Sequence, residues 1–234
     1  LLLLKSAQLL PAAVVSKITD GESYASRHNL TYLKVEQLWE MATNAKGITE
    51  AITAEIPTTR AENTQFHIFR PSISGEEHYA LEIGRINRDQ PTLVRIHSAC
   101  FTGDVLGSLK CDCGAQLHAA TQMINDQGGG LLIYLNQEGR GIGLANKIRA
   151  YALQDQGFDT VEANHRLGFE DDERDFQLGA TILEEMRIAN IKLITNNPSK
   201  ISSMEKYNIT VSERIPLVVG QNETNLSYLK TKVS

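Results

Sequence analysis

Apolar positions are thinly patterned in the first quarter of the chain and strongly patterned afterwards. Residues 1–56 read as mixed, largely helical material: residues 35–42 have helical apolar spacing, and residues 48–56 alternate less clearly. Pro57, Thr58 and Thr59 mark a boundary. Beyond it, residues 65–69 and 78–83 alternate as two strands around a Pro-Ser-Ile-Ser-Gly turn at 71–75, which predicts a β-hairpin. Residues 92–97 predict a third strand. From there helix and strand alternate. The spacing predicts a helix over 114–127, a strand over 131–135, and a helix with Ile142, Ala145, Ile148 and Ala152 on its inner side. A polar loop is expected over 162–166, then a helix with Phe176, Ala180, Leu183 and Met186 inward and Asp171, Asp172 and Glu173 in its first turn. A strand over 191–195 leads to a helix capped by Asn197 with Pro198 at its first position, and a last strand covers about 209–213. The expected architecture is α/β: a mixed sheet with helices packed on it, divided into an N-terminal segment, 1–56, and a larger unit, 57–234.

Composition narrows the function classes. Hydrophobic residues make up 41% of 234 positions, enough for a real core. A net charge of -5 argues against a nucleic-acid binder held by a basic surface, so any nucleotide is met in a local pocket. The apolar opening stretch runs only to about residue 15 and is broken by Lys5, Gln8 and Pro11, which predicts neither a membrane span nor a signal peptide. Three cysteines and no disulfide framework favour a reducing cytoplasm.

Those three cysteines all lie in one run, residues 95–116, RIHSACFTGDVLGSLKCDCGAQ. Cys111 and Cys113 project to one side of an extended segment, and the turn through Thr102, Gly103 and Asp104 folds Cys100 back beside them. Three thiolates without a fourth protein sulfur suggest a metal site with one position open for water or substrate. A purely structural site needs a fourth ligand, for which His97 is the candidate. Two further stretches suit an anion. The first is the glycine-rich turn 136–143 after a strand, where Glu138 is read as the carboxylate aimed at a purine edge. The second is the helix start at Asn197 and Pro198, flanked by Thr195 and Lys200. Arg174, a guanidinium among carboxylates, calls for an anionic partner.

Residues 95–116, 137–146, 149–156, 159–164, 172–176 and 195–200 together resemble GTP cyclohydrolase II, the first committed enzyme of riboflavin synthesis. The resemblance implies that Cys100, Cys111 and Cys113 hold Zn2+, that GTP is opened at the imidazole carbon of guanine with loss of formate, and that pyrophosphate leaves with help from Mg2+. It implies Arg174 as a nucleophile on the α-phosphorus, Asp172 as proton acceptor and Tyr151 in the ring-opening step. Implied GTP contacts fall on Arg95, Ile96, His97, Ser98, Ala99, Gln116, Glu138, Gly139, Arg140, Thr160, Thr195 and Lys200, and a homodimer is implied. The chain departs from the family at Ala99, where glutamate is usual, which keeps a GTP-binding regulatory paralogue as the alternative. Residues 1–56 resemble the tail of a fused butanone-phosphate synthase domain without its acidic metal-binding loop, so no synthase activity is expected.

Overall fold

A computed structural model describes residues 4–5, 9–37, 47–71, 76–170 and 172–225. The predicted turn at 72–75, most of the helical pattern at 35–42, and Asp171 lie outside the described residues.

Seven strands form one sheet: β1 (Ile48–Glu55), β2 (Thr64–Pro71), β3 (His78–Gly84), β4 (Thr92–Ser98), β5 (Gly129–Leu135), β6 (Asn190–Ile194) and β7 (Thr210–Ile215). Their spatial order is β1-β2-β3-β5-β4-β6-β7. β1, β2, β3 and β5 pair antiparallel, while β5, β4, β6 and β7 run parallel, so the sheet is mixed as the pattern predicts. The hairpin stands in the expected place, with Thr64 opposite Ile83 and Phe69 opposite His78.

Side chains alternate across the sheet and build a core on each face. Val94, Ile96, Leu131, Ile133 and Leu135 point to one side, where α6 (Gln177–Glu185) and α7 (Pro198–Lys206) cover them. Leu93, Leu132 and Ile194 point to the other, under α3 (Cys113–Asp126). β4 therefore leads to a helix on one face and its neighbour β6 to a helix on the opposite face. That reversal opens a crevice at the carboxyl ends of the parallel strands, the usual binding position in such sheets.

Four elements differ from the pattern's reading. Residues 48–55 are a strand, not helical material: β1 is an edge strand with only Ile48 buried, so its alternation is weak, and pairing with β2 decides it. The sheet thus runs across the 56/57 boundary. Residues 162–166, read as a polar loop, belong to the helix α5 (Thr160–Arg166), begun by a capping box in which Asp159 and Glu162 satisfy each other's amides. The helix expected to open on the acidic cluster starts only at Gln177, leaving 172–175 as irregular backbone. In α4 (Leu144–Gln154) the buried face is Asn146, Lys147 and Ala150, while Ala145, Ile148 and Ala152 face solvent. A helix with polar residues inward is packed on a site, not on a core.

Candidate functional site

The site begins where β4 ends. α2 (Phe101–Asp104) starts directly after Cys100, and α3 starts at Cys113. The ligand atoms of Cys100, Cys111 and Cys113 lie within 4.8 Å of one another, with the Cys100 and Cys111 sulfurs 3.7 Å apart. Gly103 makes the convergence possible. A Cβ there would stand 2.8 Å from Cys111 Sγ and 3.0 Å from Cys100 Sγ. Three thiols this close cannot all ionise unaided. Cys111 and Cys113 hydrogen-bond to the Cys100 sulfur, and Lys147 adds its charge, so Cys100 ionises far below the usual thiol range. The same crowding pushes Cys111 and Cys113 up. A bound cation removes that conflict, and the donor set fits a soft or borderline metal.

His97 does not close the tetrahedron. Its Nε2 lies 3.1 Å from both carboxylate oxygens of Asp104, and its ring stacks on Tyr134 at 5.5 Å. Burial lowers the His97 pKa despite Asp104, which favours the neutral ring. Asp104 also accepts from the Cys100 amide and from the Tyr134 hydroxyl, so it fixes the first cysteine's backbone from behind. Among the described residues no histidine or carboxylate joins the cysteine group.

Lys147 escapes the sequence reading. Its Nζ donates to Cys100 Sγ at 3.1 Å, Thr102 Oγ1 at 2.9 Å and Glu138 Oε1 at 2.8 Å. Burial opposes its charge, but Glu138 and the Cys100 sulfur outweigh that and raise its pKa above the usual lysine range. Glu138, the carboxylate read as aimed at a purine edge, has protein partners of its own. Its carboxylate accepts from Lys147 and from the Phe101 and Gly139 amides, tying the glycine-rich turn to the cysteine loop. Tyr151 lies on the same side, with Lys147 5.8 Å and Lys110 5.1 Å from its ring centre, and burial pushes its hydroxyl up to about 12.

A second group of charges lines the crevice. Buried Arg95 donates to Gln116 Oε1 at 2.6 Å and to the Ile194 carbonyl at 3.0 Å. Lys200, also buried, donates to the Ile96 carbonyl at 2.9 Å. Arg174 and Lys200 both lie against Phe176, at 5.0 and 5.3 Å from its ring centre. Asp172 grips Arg174 through two side-chain hydrogen bonds and a third from the Arg174 amide. Burial works against the Asp172 charge, yet Arg174, with help from Arg140, brings its pKa below the usual carboxylate range. Arg140 has a left-handed backbone, φ 62°, unusual outside glycine, and its carbonyl accepts from the Glu173 amide at 3.0 Å. Arg95 Nε, His97 Nδ1, Ser98 Oγ and Gln137 Oε1 are buried with no protein partner among the described residues. Such atoms are expected where a polar ligand completes the site.

The family model described as GTP cyclohydrolase II matches residues 49–216. The chain belongs to the GTP cyclohydrolase II family. A protein named GTP cyclohydrolase-2 from Shewanella baltica is 55% identical over 166 residues, 71% of this chain and 81% of its own length. GTP cyclohydrolase-2 of Azospirillum brasilense is 43% identical over 235 residues, 98% of this chain and 61% of that one. Riboflavin biosynthesis protein RibBA of Cytophaga hutchinsonii is 43% identical over 219 residues, 93% and 54% of the two chains. The chain thus spans only about half to three fifths of the length of these last two curated relatives. A solved structure of RibBX, a two-domain 3,4-dihydroxy-2-butanone 4-phosphate synthase from A. baumannii, superposes with a TM-score of 0.41 at 16% identity, covering 87% of this chain and 50% of that one, a likeness that carries no argument.

On this GTP cyclohydrolase II fold most residues singled out in the sequence gather at one end of the sheet. Arg95, Ile96, His97, Ser98 and Ala99 are the end of β4 and its exit, with Ala99 offering its amide to the Leu135 carbonyl. Thr195 follows β6 and is buried. Gln116 bridges Arg95 and Asp112. Thr160 stands apart, at the start of α5, where it accepts from Gln154 two turns along α4 from Lys147. No helix among the described residues is long and apolar enough to cross a membrane.

Proposed function

We propose that this chain hydrolyses GTP to the 2,5-diamino-6-ribosylamino-pyrimidinone 5'-phosphate, formate and pyrophosphate, the opening step of riboflavin synthesis. The observation that carries the reading is the junction of two unlike centres in one crevice: a three-thiol cluster, and beside it Arg95, Arg174 and Lys200. Arg95 is the link, since it donates to Gln116 on α3, the helix that starts at Cys113, and to the carbonyl of Ile194, the residue before Thr195. A molecule with a hydrolysable ring at one end and phosphates at the other fits that pairing.

Cys100, Cys111 and Cys113 would hold Zn2+, which when bound would supply Lewis acidity that brings the pKa of water toward neutrality. Lys147 keeps the Cys100 sulfur anionic and, through Glu138, fixes the cysteine loop against the glycine-rich turn. Tyr151 is placed to handle a proton on the ring side, since its hydroxyl stays protonated at neutral pH. Two waters are consumed at the imidazole carbon of guanine: the first adds there and the bond to one ring nitrogen breaks, leaving a formamide on the other, and the second cleaves that formamide to release formate, each nitrogen keeping a proton. At the other end, Arg174, Arg95 and Lys200 carry the charge of the triphosphate, which Mg2+ would share when bound, while a water oxygen bonds to the α-phosphorus as its bond to the oxygen bridging to the β-phosphate breaks; pyrophosphate leaves with that oxygen, and the water's proton passes to solvent.

Two accounts exist for Arg174: a nucleophile on the α-phosphorus, or a clamp. The bidentate grip of Asp172 and its lowered pKa support the clamp, because a carboxylate so stabilised is a weak base for a guanidinium. A phosphoguanosyl adduct trapped on the intact chain is the result that would reverse this choice. The three free thiols suit a reducing cytoplasm, and a homodimer is the proposed assembly. Incubation with GTP, zinc and magnesium followed by a formate assay tests the whole reading. Formate release supports it; tight GTP binding without formate supports a regulatory paralogue instead.

A further inference from the structure

Lys5 and Pro11 lie outside the stretch that the family model covers, yet Lys5 touches the loop bearing Asp172 and Arg174 and Pro11 touches Gly168 at its start. Lys5 Nζ donates to Glu173 Oε1 at 2.5 Å and stands 5.8 Å from the ring centre of Phe169. Six residues on, Pro11 packs on Gly168, where a Cβ would come within 2.8 Å of Pro11 Cγ. Two separate contacts thus seat the N-terminal stretch on one loop.

Elsewhere that loop is held by buried Phe169, whose amide donates to the Asn164 carbonyl, and by Gln137, which donates to the Asp175 carbonyl. Among its described residues, 169–170 and 172–175 belong to no helix or strand, so side chains and single amide bonds must set its course. Glu173 is its main strut. The Glu173 carboxylate accepts from the Glu170 amide at 3.0 Å as well as from Lys5. Its own amide donates to the Arg140 carbonyl, and its backbone lies against Gly141 in the glycine-rich turn. Asp172 and Arg174 flank it on either side, so a shift of Glu173 moves both.

We infer that Lys5 is a positioning residue for the hydrolysis: by pinning Glu173 it holds the loop so that the Asp172–Arg174 pair faces the phosphates. The inference rests on the proposed function and reaches beyond the family's core, because the residue responsible belongs to the N-terminal stretch. Phosphate contacts from a loosened loop still form, but are less often in the geometry that the breaking bond needs, so the effect falls on kcat more than on KM.

The test uses the full chain with Lys5→Ala, Lys5→Arg and, as a control from the same stretch, exposed Lys17→Ala. Pyrophosphate release is measured for kcat and KM, and backbone hydrogen exchange is followed over 169–175. Lys5→Ala is expected to lower kcat about fivefold, the scale of a partly buried ion pair near the surface, with KM for GTP changed less than about twofold and exchange accelerated. Lys5→Arg should recover most of the loss, and Lys17→Ala should match the native chain. Native kcat in Lys5→Ala overturns the inference, as does a Lys5→Arg chain as slow as Lys5→Ala. Should the native chain itself release no pyrophosphate, the proposed function fails, and the exchange measurement alone decides the clasp: equal exchange in Lys5→Ala and native chains overturns it.

Discussion

Lys147 sets its ammonium 3.1 Å from the sulfur of Cys100, bringing a buried cation to a candidate metal ligand from a helix that follows it by a full strand. Removing that ammonium costs the thiolate a charge-assisted hydrogen bond of about 1.5–3 kcal/mol and leaves half-buried Glu138 beside it without its counter-ion. Lys147→Met should therefore weaken metal retention and lower formate release about 10- to 100-fold. Metal content after dialysis, beside the turnover assay, checks both.

Gly103 makes a sharper case because the effect is purely steric. In Gly103→Ala the new methyl meets Cys111 Sγ, Cys100 Sγ and Cys113 Cβ at 2.8–3.0 Å. Overpacking of this kind costs about 1–3 kcal/mol, and it falls on the spacing of the sulfurs, so zinc affinity should drop about 10- to 100-fold. Competition with a chromogenic chelator measures it; unchanged affinity would show that the three sulfurs do not share an ion.

At the phosphate end, Arg174→Lys keeps the charge and discards the fork that meets Asp172. Turnover should fall about 10- to 100-fold, whereas Arg174→Ala should abolish it. Steady-state pyrophosphate release distinguishes the two, and native activity in both variants would remove Arg174 from the chemistry.

Stability should also depend on pH through His78. This side chain is buried at the start of β3, where its Nδ1 accepts the Asn136 amide at 3.1 Å. Burial lowers its pKa below the ordinary value, and Asp175 offsets this only in part. A lowered pKa means that the unfolded chain binds the proton more readily than the folded one. The contribution is therefore full above the unfolded value of about 6.5 and declines as pH falls through it. The urea midpoint of the native chain should drop between pH 7.5 and 5.5, and His78→Gln should flatten that slope.

The parts of the fold that the sequence discloses are those decided locally. The hairpin, the central strand at 92–97 and the Asn197–Pro198 helix start each carry their own signal within a few residues, and the cysteine cluster shows itself through spacing. β1 is not legible in this way because an edge strand with one buried residue is decided by its partner, β2. The α5 helix did have a local signal, the Asp159 and Glu162 capping box, which the polar composition of 162–166 obscured. Lys147 was hidden by the logic of amphipathicity itself. Ala145, Ile148 and Ala152 make the more apolar stripe, yet α4 turns Asn146 and Lys147 inward, because its neighbour is the cysteine loop and not an oily core. Glu138 is legible as a site residue, whereas its contacts with the Phe101 amide and Lys147 are not, because they join stretches far apart in the chain.

The most direct measurement is a zinc titration of metal-stripped protein with formate release followed in the same samples. The account predicts a rate that rises in proportion to bound zinc, levels at one ion per chain, and is absent from a chain with Cys111→Ala. A rate independent of zinc, or a zinc-saturated native chain that consumes no GTP, contradicts it.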